Sequence, residues 1–320
     1  MHYLSNNNNL NDNIIGSIKK VKPKKVPSKI EIDKLIKQFR DGYLNDAGKT
    51  ALSIIKQFPN DQFSWKVLGV ILKQLGKLAE ALLVTKQAIK LNIKDFKAYN
   101  NLGLIFEDLG HLEDSLVSFQ KAISLNNNYA EAYNNMANIQ KKLSNIEEAE
   151  RNFRKAIMLK PDLAEAYTNL GNILKTLNKF QESEKKHKQA IKLKPNYADA
   201  YNNLGQTQRI LGKLEDAEAS YRKAIQLNPK YAEFYGNMGV VLEALTRSSE
   251  AELSYKKAIS LKPDISDFYW NLSGSVQSIS DAEYWINKCL KIDKNHVKAK
   301  LIKAVLNFYQ GDKTDFKKLM

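Results

Sequence analysis

The chain has 320 residues, 43% apolar and 27% charged, with a formal net charge of +15. That mix suits a folded chain rather than a disordered one, and only 14 glycines and 7 prolines argue against an all-β fold. A single cysteine, Cys289, excludes an intrachain disulfide and fits a reducing compartment.

Taken in chain order, residues 1–27 read as a basic, disordered N-terminal segment. Residues 1–30 carry six lysines against Asp12. The opening stretch lacks the apolar run of roughly 7–15 residues that a signal peptide needs. No stretch approaches the ~18 apolar residues of a membrane span, so a cytoplasmic location is expected. Residues 28–61 form a degenerate first unit, with Ala47, Ala51 and Pro59 in phase with the later units but no leading aromatic.

From residue 62 a single pattern recurs. Trp65, Tyr99, Tyr133, Tyr167, Tyr201, Tyr235 and Tyr269 succeed one another at intervals of 34 residues. Three residues after each stands Leu68, Leu102, Met136, Leu170, Leu204, Met238 or Leu272, and then a small residue such as Gly103, Ala137 or Gly171. Alanine recurs 23 residues after the aromatic, from Ala88 to Ala258. The units are 62–95, 96–129, 130–163, 164–197, 198–231 and 232–265. Residues 266–295 form a shortened unit lacking about three residues between its helices, and 296–320 an incomplete one.

Each unit predicts two helices. Tyr99, Leu102 and Phe106 fall on one helical face, and Gly110 stops that helix. Leu116, Phe119, Ala122 and Ile123 form the stripe of a second. Pro161, Pro195, Pro229 and Pro263 end the second helices, while Ile93 and Asn127 replace that proline and predict altered turns. Thr246 replaces the helix-ending glycine and predicts a distorted corner near 245–249. The tyrosines are expected in the core. Glu131, Glu165, Asp199, Glu233 and Asp267 are expected to serve the positive helix N-termini. Neither helix of a pair covers its apolar face alone, so the pairs must stack in an all-α array.

This cadence resembles the tetratricopeptide repeat, firmly over residues 62–295. The resemblance implies an α-α superhelix, a TPR solenoid of about eight helix-turn-helix repeats, whose partner is a protein or peptide.

Two residues after the tyrosines stand Asn101, Asn135, Asn169, Asn203, Asn237 and Asn271. Asparagine is a weak helix former, so its recurrence at mid-helix needs a reason. At about 100° per residue these amides lie opposite the apolar side of the first helix. They are similar to the asparagine ladder of O-linked N-acetylglucosamine transferases, which implies amides gripping the backbone of an extended peptide. Hydrated side chains copied by repeat duplication are the competing reading. Six residues beyond the asparagines, Lys141, Lys175 and Arg209 share that side and suggest a preference for acidic ligands.

No catalytic, metal or cofactor site is expected. His2, His111, His187 and His296 are scattered among units, and with one cysteine they offer no metal-ligand spacing. His187 stands in the slot filled elsewhere by Phe119, Phe153, Tyr221 and Tyr255, as a core filler. Cys289 occupies a small-residue slot as an inert buried thiol. No phosphate-binding glycine loop or nucleophile elbow occurs. Nucleic acid is an unlikely partner, because the excess lysines cluster at the two ends. The chain therefore reads as a non-enzymatic protein-interaction scaffold. The alternative is the recruiting arm of a glycosyl-, sulfo- or methyltransferase. The entry segment resembles bacterial arrays that precede such domains. The incomplete last unit, with no polar capping helix, leads us to expect a further domain or subunit.

Overall fold

The computed structural model describes residues 26–309 as helices joined by short turns. Most of the expected N-terminal disordered segment, and residues 310–320 of the incomplete last unit, lie outside the described residues. The chain divides after Pro161 into two compact units. The first holds α1 (Lys29–Arg40), α2 (Leu44–Gln57), α3 (Gln62–Gln74), α4 (Leu78–Leu91), α5 (Phe96–Asp108), α6 (Leu112–Leu125), α7 (Ala130–Lys142) and α8 (Ile146–Leu159). The second holds α9 (Ala164–Thr176), α10 (Phe180–Leu193), α11 (Ala198–Ile210), α12 (Leu214–Leu227), α13 (Ala232–Ala244), α14 (Ser248–Leu261), α15 (Ser266–Ser275), α16 (Ile279–Ile292) and α17 (Val297–Tyr309). Among the described residues no helix is long and apolar enough to cross a membrane.

Within each unit the odd-numbered helix of a pair packs against the following even-numbered one, and each pair stacks on the next. The crossing within a pair is made close by one contact. The large side chain from the even helix lies across the small residue of the odd helix, so a methyl group added at Gly103 would fall 2.6 Å from the Phe119 ring. Phe119, Phe153, Tyr221 and Tyr255 are fully buried there. His187 fills the same slot, as expected, and is equally buried. Serines in the neighbouring small-residue slot satisfy their hydroxyls on the backbone: Ser115 Oγ donates to the Gly103 carbonyl and Ser183 Oγ to the Gly171 carbonyl, both at 2.8 Å. Cys289 is also fully buried, and burial pushes its thiol up to about 11.

The tyrosines depart from the core role expected of them. Trp65 and Tyr269 are buried, but Tyr99, Tyr133, Tyr167, Tyr201 and Tyr235 are half-buried. Three of these aromatics also use a polar tip. Trp65 Nε1 donates to the Pro59 carbonyl at 2.9 Å, and the Tyr235 and Tyr269 hydroxyls to those of Pro229 and Pro263 at 3.2 and 3.0 Å. The ring packs while its tip ties down the preceding turn.

Two turn expectations are also revised. The turns at Ile93 and Asn127 match the proline-containing ones in length. The preceding asparagine replaces proline's constraint: Asn92 Oδ1 accepts from the Lys94 amide and Asn126 Oδ1 from the Asn128 amide, both at 3.1 Å. The corner at Thr246 is not distorted either. The Thr246 amide donates to the Glu243 carbonyl and that of Arg247 to Leu242, both at 2.8 Å. Gly212 and Lys213 make the same pair of bonds to Arg209 and Gln208 at 3.0 and 2.9 Å. The geometry survives because Thr246 accepts a left-handed φ of 60°. A β-branched residue there is strained by about 1–2 kcal/mol. Thr246→Gly should therefore stabilise the chain by about 1 kcal/mol after glycine's extra unfolded-state entropy is deducted, read as a higher urea midpoint.

The first-turn acids sit where expected, and two of them also tie the start of the first helix of a pair to the end of the second. Glu131 meets Lys160 at 2.6 Å and Glu233 meets Lys262 at 3.1 Å. The shortened unit is short in its first helix: α15 has 10 residues and stops at an extended Val276.

Candidate functional site

The face that could meet a ligand is built by the odd-numbered helices, whose apolar side is committed to the even ones. All six asparagines of the column, Asn101, Asn135, Asn169, Asn203, Asn237 and Asn271, are half-buried. They are neither sealed inside helix contacts nor pushed to the exterior. In the pair before Asn101 the equivalent slot is Val67.

The column is not simply a row of waiting amides. Asn135 Nδ2 donates to Asn100 Oδ1 at 3.0 Å, and Asn237 Nδ2 to Asn202 Oδ1 at 2.9 Å. Each bond joins an odd helix to the odd helix of the preceding pair, within one unit. Asn100 is buried and Asn202 half-buried. The partner column, one residue after the tyrosine, was not singled out in the sequence, although Asn100, Asn134 and Asn202 were visible there as the first members of Asn-Asn pairs. The doublet is the signal: one amide braces the stack and orients the next.

Among the described residues, three clefts open beside these asparagines. In the first unit Phe39, Val67, Val70 and Tyr129, with Lys97 and Asn101, line about 190 Å3 of mostly apolar space. Lys66 also lines it, with its charge tied to Asp95 at 2.7 Å. In the second unit Lys175, Gln206, Arg209 and Asn237, with Phe180 and Ile210, line about 460 Å3. Near its C-terminal end Asp267, Trp270, Asn271, Asp293 and His296 line about 490 Å3. There His296 Nδ1 accepts from the Ala299 amide at 3.1 Å, so Nε2 carries the hydrogen shared with Asp267 Oδ1, also at 3.1 Å.

Of the three cations, Lys175 and Arg209 share one cleft, while Lys141 is exposed on the last turn of α7 in the first unit. Lys175 donates to Gln206 Oε1. The residue twelve positions on, in the crossing slot of the even helix, faces the same place from below. The Lys175 charge adds to burial in depressing His187, and the Arg209 charge acts on Tyr221. The Tyr255 hydroxyl donates to Glu243 Oε2 at 3.0 Å. Burial raises the Tyr255 hydroxyl well above its ordinary range, and Glu243 adds to that. This coupling of core slot to surface residue was hidden in the sequence, because it depends on how far a buried ring reaches through the layer. Among the described residues no group of three His, Cys, Asp or Glu side chains could hold a metal ion.

Short antiparallel helix pairs stacked in register, each fitted by a small-residue crossing, define a helical-repeat solenoid. The tetratricopeptide-repeat profiles match residues 69–110, 108–144, 130–163, 171–209, 198–231 and 232–265. The chain belongs to the tetratricopeptide-repeat family. No curated protein sequence matches it. Solved structures do. The Cut9–Hcn1 hetero-tetramer of the APC/C is 15% identical, covers 85% of this chain and 54% of its own, and has a TM-score of 0.65. A tetratricopeptide repeat protein from Parabacteroides merdae is 22% identical over 78% of this chain and 98% of its own, at 0.59. Pseudomonas aeruginosa pilF is 16% identical over 63% and 92%, at 0.58. At these identities the likeness establishes the fold.

Proposed function

We propose that the protein is a non-catalytic scaffold that binds an extended peptide or loop along the odd-helix face of its units. The observation that carries this is the meeting of amides and clefts. Each of the three clefts is lined by a member of the asparagine column: Asn101, Asn237 or Asn271. An amide both donates and accepts, so it pairs with a peptide group whatever the ligand's sequence. The bonds to Asn100 and Asn202 occupy one donor of Asn135 and Asn237 and hold the amide plane in place, which lowers the entropy lost on binding. Lys141, Lys175 and Arg209 on the same helix faces favour acidic ligands. A reducing, cytoplasmic setting suits the buried Cys289 thiol.

The test is an immobilised array of varied extended peptides, probed with the intact chain and with a variant carrying Asn169→Ala, Asn203→Ala and Asn237→Ala. Binding should fall by about tenfold or more across sequences, since each lost amide–peptide bond is worth about 0.5–1.5 kcal/mol. Circular dichroism of the variant checks that the stack remains folded. A folded variant that binds the array as well as the parent would remove the case for the column as a grip.

A further inference from the structure

The cleft between α9, α11 and α13 differs chemically from the other two. The first-unit cleft is walled mainly by apolar side chains, and the C-terminal one holds Asp267 and Asp293. This one is lined by two cations, Lys175 and Arg209, by the amides Gln206 and Asn237, and by the apolar Phe180 and Ile210. No carboxylate is among its lining residues. Arg209 is exposed and has no ion-pair partner among the described residues. Elsewhere in the same unit basic side chains are matched by acids, as Lys213 is by Glu184 at 2.7 Å and Arg247 by Glu218 at 2.8 Å. Ile210, beside Arg209 on the same helix, is 43% exposed and half-buried Phe180 faces the same space. A cation-rich cleft with an apolar wall and no acid complements an anion joined to something greasy.

We infer that this cleft selects, within the bound peptide, an anionic side chain two residues from an apolar one. This rests on the peptide-binding reading and names what that peptide carries here. The anion lies between Lys175 and Arg209, where Arg209 offers its planar fork to a carboxylate or phosphate. Gln206 and Asn237 supply amide donors to its remaining oxygen or to the adjacent peptide group. In an extended chain side chains alternate, so residues i and i+2 face the same way. The second of them rests on Phe180 and Ile210. A carboxylate and a phosphorylated side chain present the same chemistry, and the experiment separates them.

Three fluorescein-labelled dodecapeptides of serine and alanine, carrying Glu-Ala-Leu, Gln-Ala-Leu or phosphoserine-Ala-Leu at the centre, are titrated with the full chain by anisotropy at low ionic strength. The Glu peptide should bind about tenfold tighter than the Gln peptide, a gap reduced by added salt. Arg209→Glu should abolish that gap. A phosphoserine peptide tighter than the Glu peptide would make phosphate the preferred source of the anion; the reverse order would make it carboxylate. Equal binding of Glu and Gln peptides, both weakened by the asparagine substitutions, overturns the anion cleft and leaves the peptide-binding reading standing. A gap that survives Arg209→Glu also overturns it, and failure of all three peptides to bind overturns both.

Discussion

Lowering the pH from 7 to 4 should cost the protein about 3 kcal/mol that a His187→Phe variant does not lose. The His187 ring is fully buried across Gly171, and neither ring nitrogen has a hydrogen-bond partner. Burial first, and the nearby Lys175 charge second, depress it from 6.5 to about 3. The unfolded chain therefore binds a proton below pH 6.5 that the folded chain refuses until about pH 3. Since the unfolded state holds more protons in that window, stability is whole above it and falls as the pH falls through it. Phenylalanine already fills the slot at Phe119 and Phe153, so the variant fits without a new shape. It also removes buried polar atoms without partners, each costing about 1–3 kcal/mol, so it should be more stable even at pH 7. Repeat arrays need not unfold in one step, so the quantity to compare is the urea midpoint of each protein at the two pH values. Parallel losses in parent and variant would show that His187 is not the group being titrated.

Gly239→Ala should destabilise the second unit by about 2 kcal/mol, despite alanine's better helix propensity of about 1 kcal/mol. The added methyl would lie 2.5 Å from Tyr255 Cε1. At Ala137 the chain already carries such a methyl opposite Phe153, which shows that a free ring can yield. Tyr255 cannot yield in the same way, because its hydroxyl is held by Glu243 at 3.0 Å. Glu243 in turn accepts from Ser275 Oγ. The ring must either clash or give up that bond, at about 1–3 kcal/mol for a polar group left unsatisfied. Adding Tyr255→Phe to Gly239→Ala should recover part of the loss, giving a favourable coupling in a double-mutant cycle. Simple additivity of the two urea-midpoint shifts would refute the pinned-ring account.

Much of the fold was written in spacing. The aromatic at intervals of 34 residues, the Leu or Met three residues on and the invariant alanine in the second helix placed the helix pairs. The shortfall of about three residues after Leu272 was legible, but it was expected between the helices, whereas it falls in the first helix of that unit, α15. The phase of the asparagines was legible, because helical spacing alone puts those residues opposite the apolar stripe, and each is half-buried there. Less legible was anything depending on reach. The tyrosines share the apolar phase, yet most are only half-buried, and that phase gives no sign of the bonds that Trp65, Tyr235 and Tyr269 make to the preceding turn. Thr246 broke a glycine rule without breaking the turn, since two backbone hydrogen bonds outweigh the strain of one residue.

The sequence by itself thus determined the helices, their pairing and the side of each odd helix left for solvent or ligand, because periodicity is a local property carried by every unit. Only the tertiary structure decided that Asn135 leans on Asn100 and Asn237 on Asn202, and that Lys175 and Arg209 share a cleft with Phe180 and Ile210. It also decided that the charge of Lys175 acts on His187 and that of Arg209 on Tyr221. Those relations join residues from different helices, and they are set by how closely the backbones approach at the small-residue crossings, a distance that spacing along one chain does not encode.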